Sequence, residues 1–259
     1  AFGRSGSDYA PLDDALTEAA VEESRLYFAD LLQRNAPIRE LVESRYTFAN
    51  ERLAAHYGVS GVSGALMRRI ELPEASVRGG FLTQASILKV TANGTTTSPV
   101  IRGKWIVERI LGEELRPPPA VPAIEPDIRG AVTIRQQLES HRADESCASC
   151  HRKIDPPGFA LESFDVMGAW RDRYRAIDEQ MTAVKGLGKN GQPFTFHYAL
   201  PVDSAGETPE GEFFGDIRDY KKLLTRDERR LARSFLGHLI TYATGSPVRP
   251  SRPTTCRPT

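Results

Sequence analysis

Residues 145–165 read ESCASCHRKIDPPGFALESFD, and what the first seven of them mean sets the fold that the rest of the chain has to build around them. Cys147 and Cys150 stand three apart, and His151 follows the second directly. Residues three and four apart share a helix face, so a helix through this stretch turns both thiols and the imidazole to one side. Two thiols at that spacing reach the two vinyl groups of a haem as thioethers, and the adjoining histidine can take the iron axially. Two other readings compete. A zinc centre needs about four ligands, but there is no second cysteine pair and Cys256 stands alone in a polar tail. A redox disulfide is expected after a strand in a βαβ unit, whereas here a helical pattern precedes the motif. Haem c held by Cys147, Cys150 and His151 is the favoured reading.

The residues after the motif extend it. Pro156 and Pro157 lack the N–H that a helix interior uses, so Asp155–Gly158 is expected to leave the helix and turn beneath His151. A carbonyl in this Pro157 turn is then expected to accept the second ring N–H of His151. Phe159 and Leu161 are expected along the macrocycle, and Trp170, Arg171, Arg173 and Tyr174 near its propionates, with ordinary core packing as the competing expectation for each. For the distal side of the iron, His197 is a candidate ligand and Met181 the alternative, since a returning downstream loop can close over that face. Met167 also reads as a core residue. His141 lies on the same helix as His151 and is poorly placed for the opposite face, and His56 and His238 read as structural.

Composition narrows the function classes. Lys plus Arg and Asp plus Glu both number 34, so no net basic field attracts nucleic acid. Apolar residues make up 40% of 259, ordinary for a globular chain, and no apolar run reaches the length of a membrane span. Three cysteines are too few to staple a fold, so a hydrophobic core must hold it.

The periodicity predicts a mainly α protein: a helical domain plus a cytochrome-c-like haem domain with short strands and long loops. Residues 1–115 form the helical domain, with a short extended insert. Leu12 to Leu31 carry a helical apolar stripe. Pro37 opens a second helix that Gly58 closes. MRRIELP and GGFLTQASILKVTANG read as short strands or extended segments. Ser98-Pro99 starts a further helix that stops at Gly112. The proline-rich LRPPPAVPAIEPD supplies a linker at 116–125. Residues 126–249 form the haem domain, in which Thr133 and Gln136 cap the helix leading to the cysteines. There Asn190-Gly191 marks a hairpin. Thr225 and Glu228 cap a last helix bearing Leu231, Phe235, Leu239 and Tyr242, which Gly245 ends. Residues 250–259 are an atypical tail.

Six stretches, YTFANERLAAHYG, RGGFLTQASILKVTANGTTTSPVIRGKWIVERILG, PPPAVPAIEPD, ESCASCHRKIDPPGFALESFDVMGAWR, LPVDSAG and HLITYATGSPVR, run in order over about residues 1 to 249. In that order they resemble the large exported proteins of planctomycetes and related bacteria, built from domains of unknown function around a c-type haem motif. The resemblance implies haem c at Cys147, Cys150 and His151, an extracytoplasmic location, and further sequence ahead of residue 1. It implies no activity. The expected function is a c-type cytochrome module that exchanges electrons with a redox partner protein. The alternatives are a haem-dependent, peroxidase-type oxidoreductase, with Arg102 and Lys104 in a substrate cleft, or a protein-binding module with structural haem. Attachment of haem c outside the cytoplasm points to the same compartment.

Overall fold

The computed structural model describes residues 14–92, 96–115, 135–136, 138, 145–176, 183–187 and 193–247, without the side chains of 145, 146, 176, 187 and 194. The linker 116–125, Thr133, His141, Met181, Asn190-Gly191 and the tail 250–259 lie outside these residues.

The expectation of a mainly α chain with a cytochrome-c-like domain is corrected. The described residues hold seven α-helices and seven strands, about 50% helix and 16% strand, which is a mixed α/β composition. Helix α1, Asp14–Gln33, is where its apolar stripe predicts. The helix expected from Pro37 to Gly58 instead breaks into three pieces. These are a 3-10 turn at Ile38–Leu41, strand β1 at Tyr46–Ala49, and helix α2 at Glu51–Tyr57. Tyr46 and Phe48 suit a pleated surface, and β1 pairs antiparallel with β2, Arg68–Glu71. Asn50 then starts α2 by accepting the Leu53 N–H at 3.0 Å, and Gly58 ends it in the left-handed conformation expected of a helix stop.

The segment read as extended before Asn93 is also corrected. It forms a 3-10 turn at Phe81–Thr83 and helix α3 at Ala85–Val90. No side chain of its own caps α3. Its first N–H, on Ala85, donates to the Tyr57 hydroxyl at 2.8 Å, a partner supplied by tertiary structure.

Helix α4, Pro99–Trp105, is capped by Ser98 as expected and runs on as a π-helical turn through Ile106–Ile110. Helix α5, Glu145–Ala160, carries the motif. Strands β3 (Arg173–Ala176), β4 (Ala183–Leu187) and β5 (Pro193–Pro201) make an antiparallel sheet with β5 in the middle. Leu187 pairs with Pro193 across the β4–β5 hairpin. Strands β6 (Gly206–Glu207) and β7 (Phe213–Phe214) form a minimal pair. Helices α6 (Ile217–Thr225) and α7 (Glu228–Thr244) close the chain. Asp227, in place of Thr225, caps α7 by accepting the Arg230 N–H. Of the expected α7 stripe, Leu231 is buried and Phe235 meets Phe28, while Leu239 and Tyr242 are exposed.

The residues before and after the linker share one core. Val42, Leu82, Leu88 and Ile106 pack in a single cluster with Leu161, Phe164, Phe214 and Ile217. A second cluster joins Leu16, Leu53 and Ala85 to Val166 and Met167, which places Met167 in the core.

Beneath α1 lies a buried polar knot. Glu23 accepts the Thr47 hydroxyl at 2.5 Å and the Tyr57 hydroxyl at 2.5 Å. Burial pushes its carboxyl up to about 7, against those hydrogen bonds and the Arg78 charge. The folded state therefore holds this proton where the unfolded chain, at about 4.5, has released it. Stability is expected to fall as pH rises from about 4.5 to about 7, by on the order of 3 kcal/mol. Glu23→Gln should flatten that limb in urea midpoints taken across the range; a slope unchanged by the substitution would assign it elsewhere.

Candidate functional site

The prolines after the motif do not end its helix: α5 continues through Pro156 and Pro157 to Ala160, which corrects the expected turn. Each proline withholds one N–H from the residue four earlier. Those residues, Arg152 and Lys153, are exposed, so water can take their carbonyls. The helix is held straight on by α4, which crosses it with backbone against backbone. A Cβ on Gly103 would sit 1.6 Å from the Ile154 carbonyl oxygen, and one on Gly158 would sit 1.9 Å from that of Pro99. Only two glycines allow this approach.

Arg102, one residue earlier on α4, is fully buried. It donates to the carbonyls of Leu161, Phe164 and Asp165 at 2.9, 2.7 and 2.7 Å. Arg102 thus satisfies buried carbonyls of the loop that follows α5, which would otherwise lack a donor. Burial lowers its pKa to about 10. Beside it, the buried Glu162 accepts from Thr97 (3.0 Å), Arg171 (3.1 Å) and Tyr174 (3.3 Å), and lies 3.8 Å from the Arg102 guanidinium. Asp165 accepts the N–H groups of Met167 and Ala169, tightening the loop that follows. Arg102 is therefore a strut, and among the described residues its side chain is fully enclosed. Sequence reading passed over Glu162; its place between an apolar run and Phe164 is the one hint that a carboxylate there would be buried and paired.

The motif itself lies on the first turns of α5. Cys147 and Cys150 are half-buried thiols that form no disulfide, and His151 directly follows at 8% exposure. The His151 Nδ1 lies 2.8 Å from the carboxylate of Asp155, one turn on and fully buried. That carboxylate takes the place of the turn carbonyl expected from the sequence. With Asp155 at Nδ1, a ligand would be taken by Nε2. Two thiols one turn apart and an imidazole oriented from behind fit haem c: Cys147 and Cys150 would hold its vinyl carbons and His151 its iron. Among the described residues no three His, Cys, Asp or Glu side chains are grouped to hold a metal ion by themselves.

The other candidates are dispersed. Pro157 is buried inside α5. Phe159 lies buried beneath the Arg135 guanidinium, 4.0 Å above its ring, and Leu161 belongs to the central core. His197 sits in β5 opposite Ala176 and Ala183, and by strand alternation shares a face with the buried Ala199. His56 Nε2 meets the Met167 carbonyl at 2.8 Å, and burial holds its pKa below the ordinary value. His238 meets the Glu108 carbonyl at 3.2 Å. Trp170 donates to Asp172, and Arg173 to the Ala199 carbonyl. No helix among the described residues is long and apolar enough to cross a membrane.

No curated protein and no solved structure matches the chain. Two family models do. Residues 2–59 match PSD4, a protein of unknown function (DUF1592). Residues 78–174 match PSCyt3, a protein of unknown function (DUF1588). The second match takes in α3, α4, α5 and the Glu162 network, and so joins the two sides of the proline-rich segment just as the shared core does. The Cys147–His151 motif falls within the residues that match PSCyt3.

Proposed function

We propose that this chain binds haem c covalently through Cys147 and Cys150, with His151 as axial ligand, and passes single electrons to a redox partner protein. The observation that carries the reading is the grouping on α5 of two thiols one turn apart, outside any disulfide, and an imidazole whose Nδ1 is engaged by Asp155. When bound, the haem supplies one-electron redox chemistry. The chain's own part is to anchor it at two points, orient the imidazole, and bury the attachment helix against α4. His197, or Met181, is the proposed distal ligand. Attachment chemistry and the resemblance to exported planctomycete proteins both support a location outside the cytoplasm.

The test is expression with haem-maturation machinery, followed by a pyridine haemochrome assay and spectra of the oxidised and dithionite-reduced protein. Covalent haem with sharp reduced bands is expected, and Cys147→Ser with Cys150→Ser should remove all covalent haem. Broad high-spin bands would favour an open iron and an enzyme. No covalent haem, where a control cytochrome matures, would end the proposal.

A further inference from the structure

Asp155 is buried completely, and its carboxylate lies 2.8 Å from His151 Nδ1 on the same helix. A neutral backbone carbonyl is enough to orient an imidazole; a buried carboxylate does more. It accepts the Nδ1–H with a full negative charge in a region where water screens little. That favours the tautomer with its proton on Nδ1, leaving the lone pair on Nε2, and it raises the basicity of that lone pair. The arrangement depends on the prolines staying helical. Asp155 reaches His151 because positions four apart on a helix face one another, and the Gly103–Gly158 crossing keeps α5 helical through Pro156 and Pro157.

We infer that Asp155 is a positioning residue that fixes the tautomer of His151 and, through it, sets a low reduction potential for an iron bound at Nε2. The inference rests on the haem reading above. A stronger anionic pull on Nδ1–H gives Nε2 more electron density, which stabilises ferric over ferrous iron when one electron is exchanged. Asp155 is thus assigned a redox-tuning role that the Cys147–His151 motif alone does not contain.

Two measurements test this. In the haem-free protein, long-range 15N–1H correlation of the His151 ring, taken at a pH where the spectrum itself shows the neutral imidazole, should show the proton on Nδ1 and none on Nε2. The opposite tautomer would overturn the inference without any substitution. In the haem-loaded protein, a mediated redox titration of Asp155→Asn should give a more positive midpoint potential than wild type. The amide keeps shape and an acceptor oxygen but removes the charge. Wild type carrying covalent haem, with a potential that Asp155→Asn leaves unchanged, would overturn the role of Asp155 and leave the haem reading intact. Wild type that takes up no haem would overturn both.

Discussion

Gly103→Ala is expected to cost more than about 3 kcal/mol, above the usual cost of an overpacked core. Overpacking is usually relieved when side chains move. Here the added methyl would meet the Ile154 carbonyl oxygen at 1.6 Å, so two helix backbones must part. Separating α4 from α5 also pulls Arg102 from the carbonyls it satisfies. For a domain stable by about 5–15 kcal/mol, such a loss should show as a large drop in the urea midpoint. Gly158→Ala, with its methyl 1.9 Å from the Pro99 carbonyl oxygen, should behave alike. Gly237→Ala supplies the contrast. It lies within α7 with nothing within 4 Å of an added methyl, so it should gain about 0.5–1 kcal/mol from helix propensity alone. Equal midpoints for wild type and Gly103→Ala would mean that α4 and α5 do not cross as described.

Arg102→Met is the second large loss, at about 3–5 kcal/mol, the range for removing one partner of a buried charged network. The methionine fills much of the volume. It leaves the carbonyls of Leu161, Phe164 and Asp165 without their donor, and Glu162 without its nearest cation on α4. Arg102→Lys should recover only part of the stability, because one ammonium cannot span carbonyls that a forked guanidinium reaches together. Adding Glu162→Gln to Arg102→Met should restore some of the loss, since it removes the carboxylate left short of positive charge. Denaturation of wild type, Arg102→Met, Glu162→Gln and the double variant forms a double-mutant cycle. Strict additivity would show that Arg102 and Glu162 are not coupled.

Both predictions concern residues whose types were visible but whose roles were not. Arg102 sits in a polar stretch that from sequence read as a structural loop leading into a capped helix, with a substrate cleft as the alternative. Its function depends on the end of a helix far along the chain. The same holds for Ala85, whose helix begins because Tyr57 offers an oxygen, and for Tyr46–Ala49, whose strand exists because Arg68–Glu71 pairs with it. Local patterns fared best where the ends of an element are chemically marked: Ser98 before Pro99, and Gly58 and Gly245 in left-handed stops.

By itself the sequence determined the grouping of Cys147, Cys150 and His151, because residues at those spacings meet on any helix, and it determined α1, the Gly58 stop of α2 and the Ser98 cap of α4, because those signals are local. The tertiary structure alone decided that α5 runs through two prolines, that Asp155 rather than a turn carbonyl stands behind His151, and that both sides of the proline-rich segment share one core. Proline disfavours the interior of an isolated helix, and the close approach of α4 at Gly103 and Gly158, with Arg102 holding the loop that follows, is the tertiary contact set against that local preference.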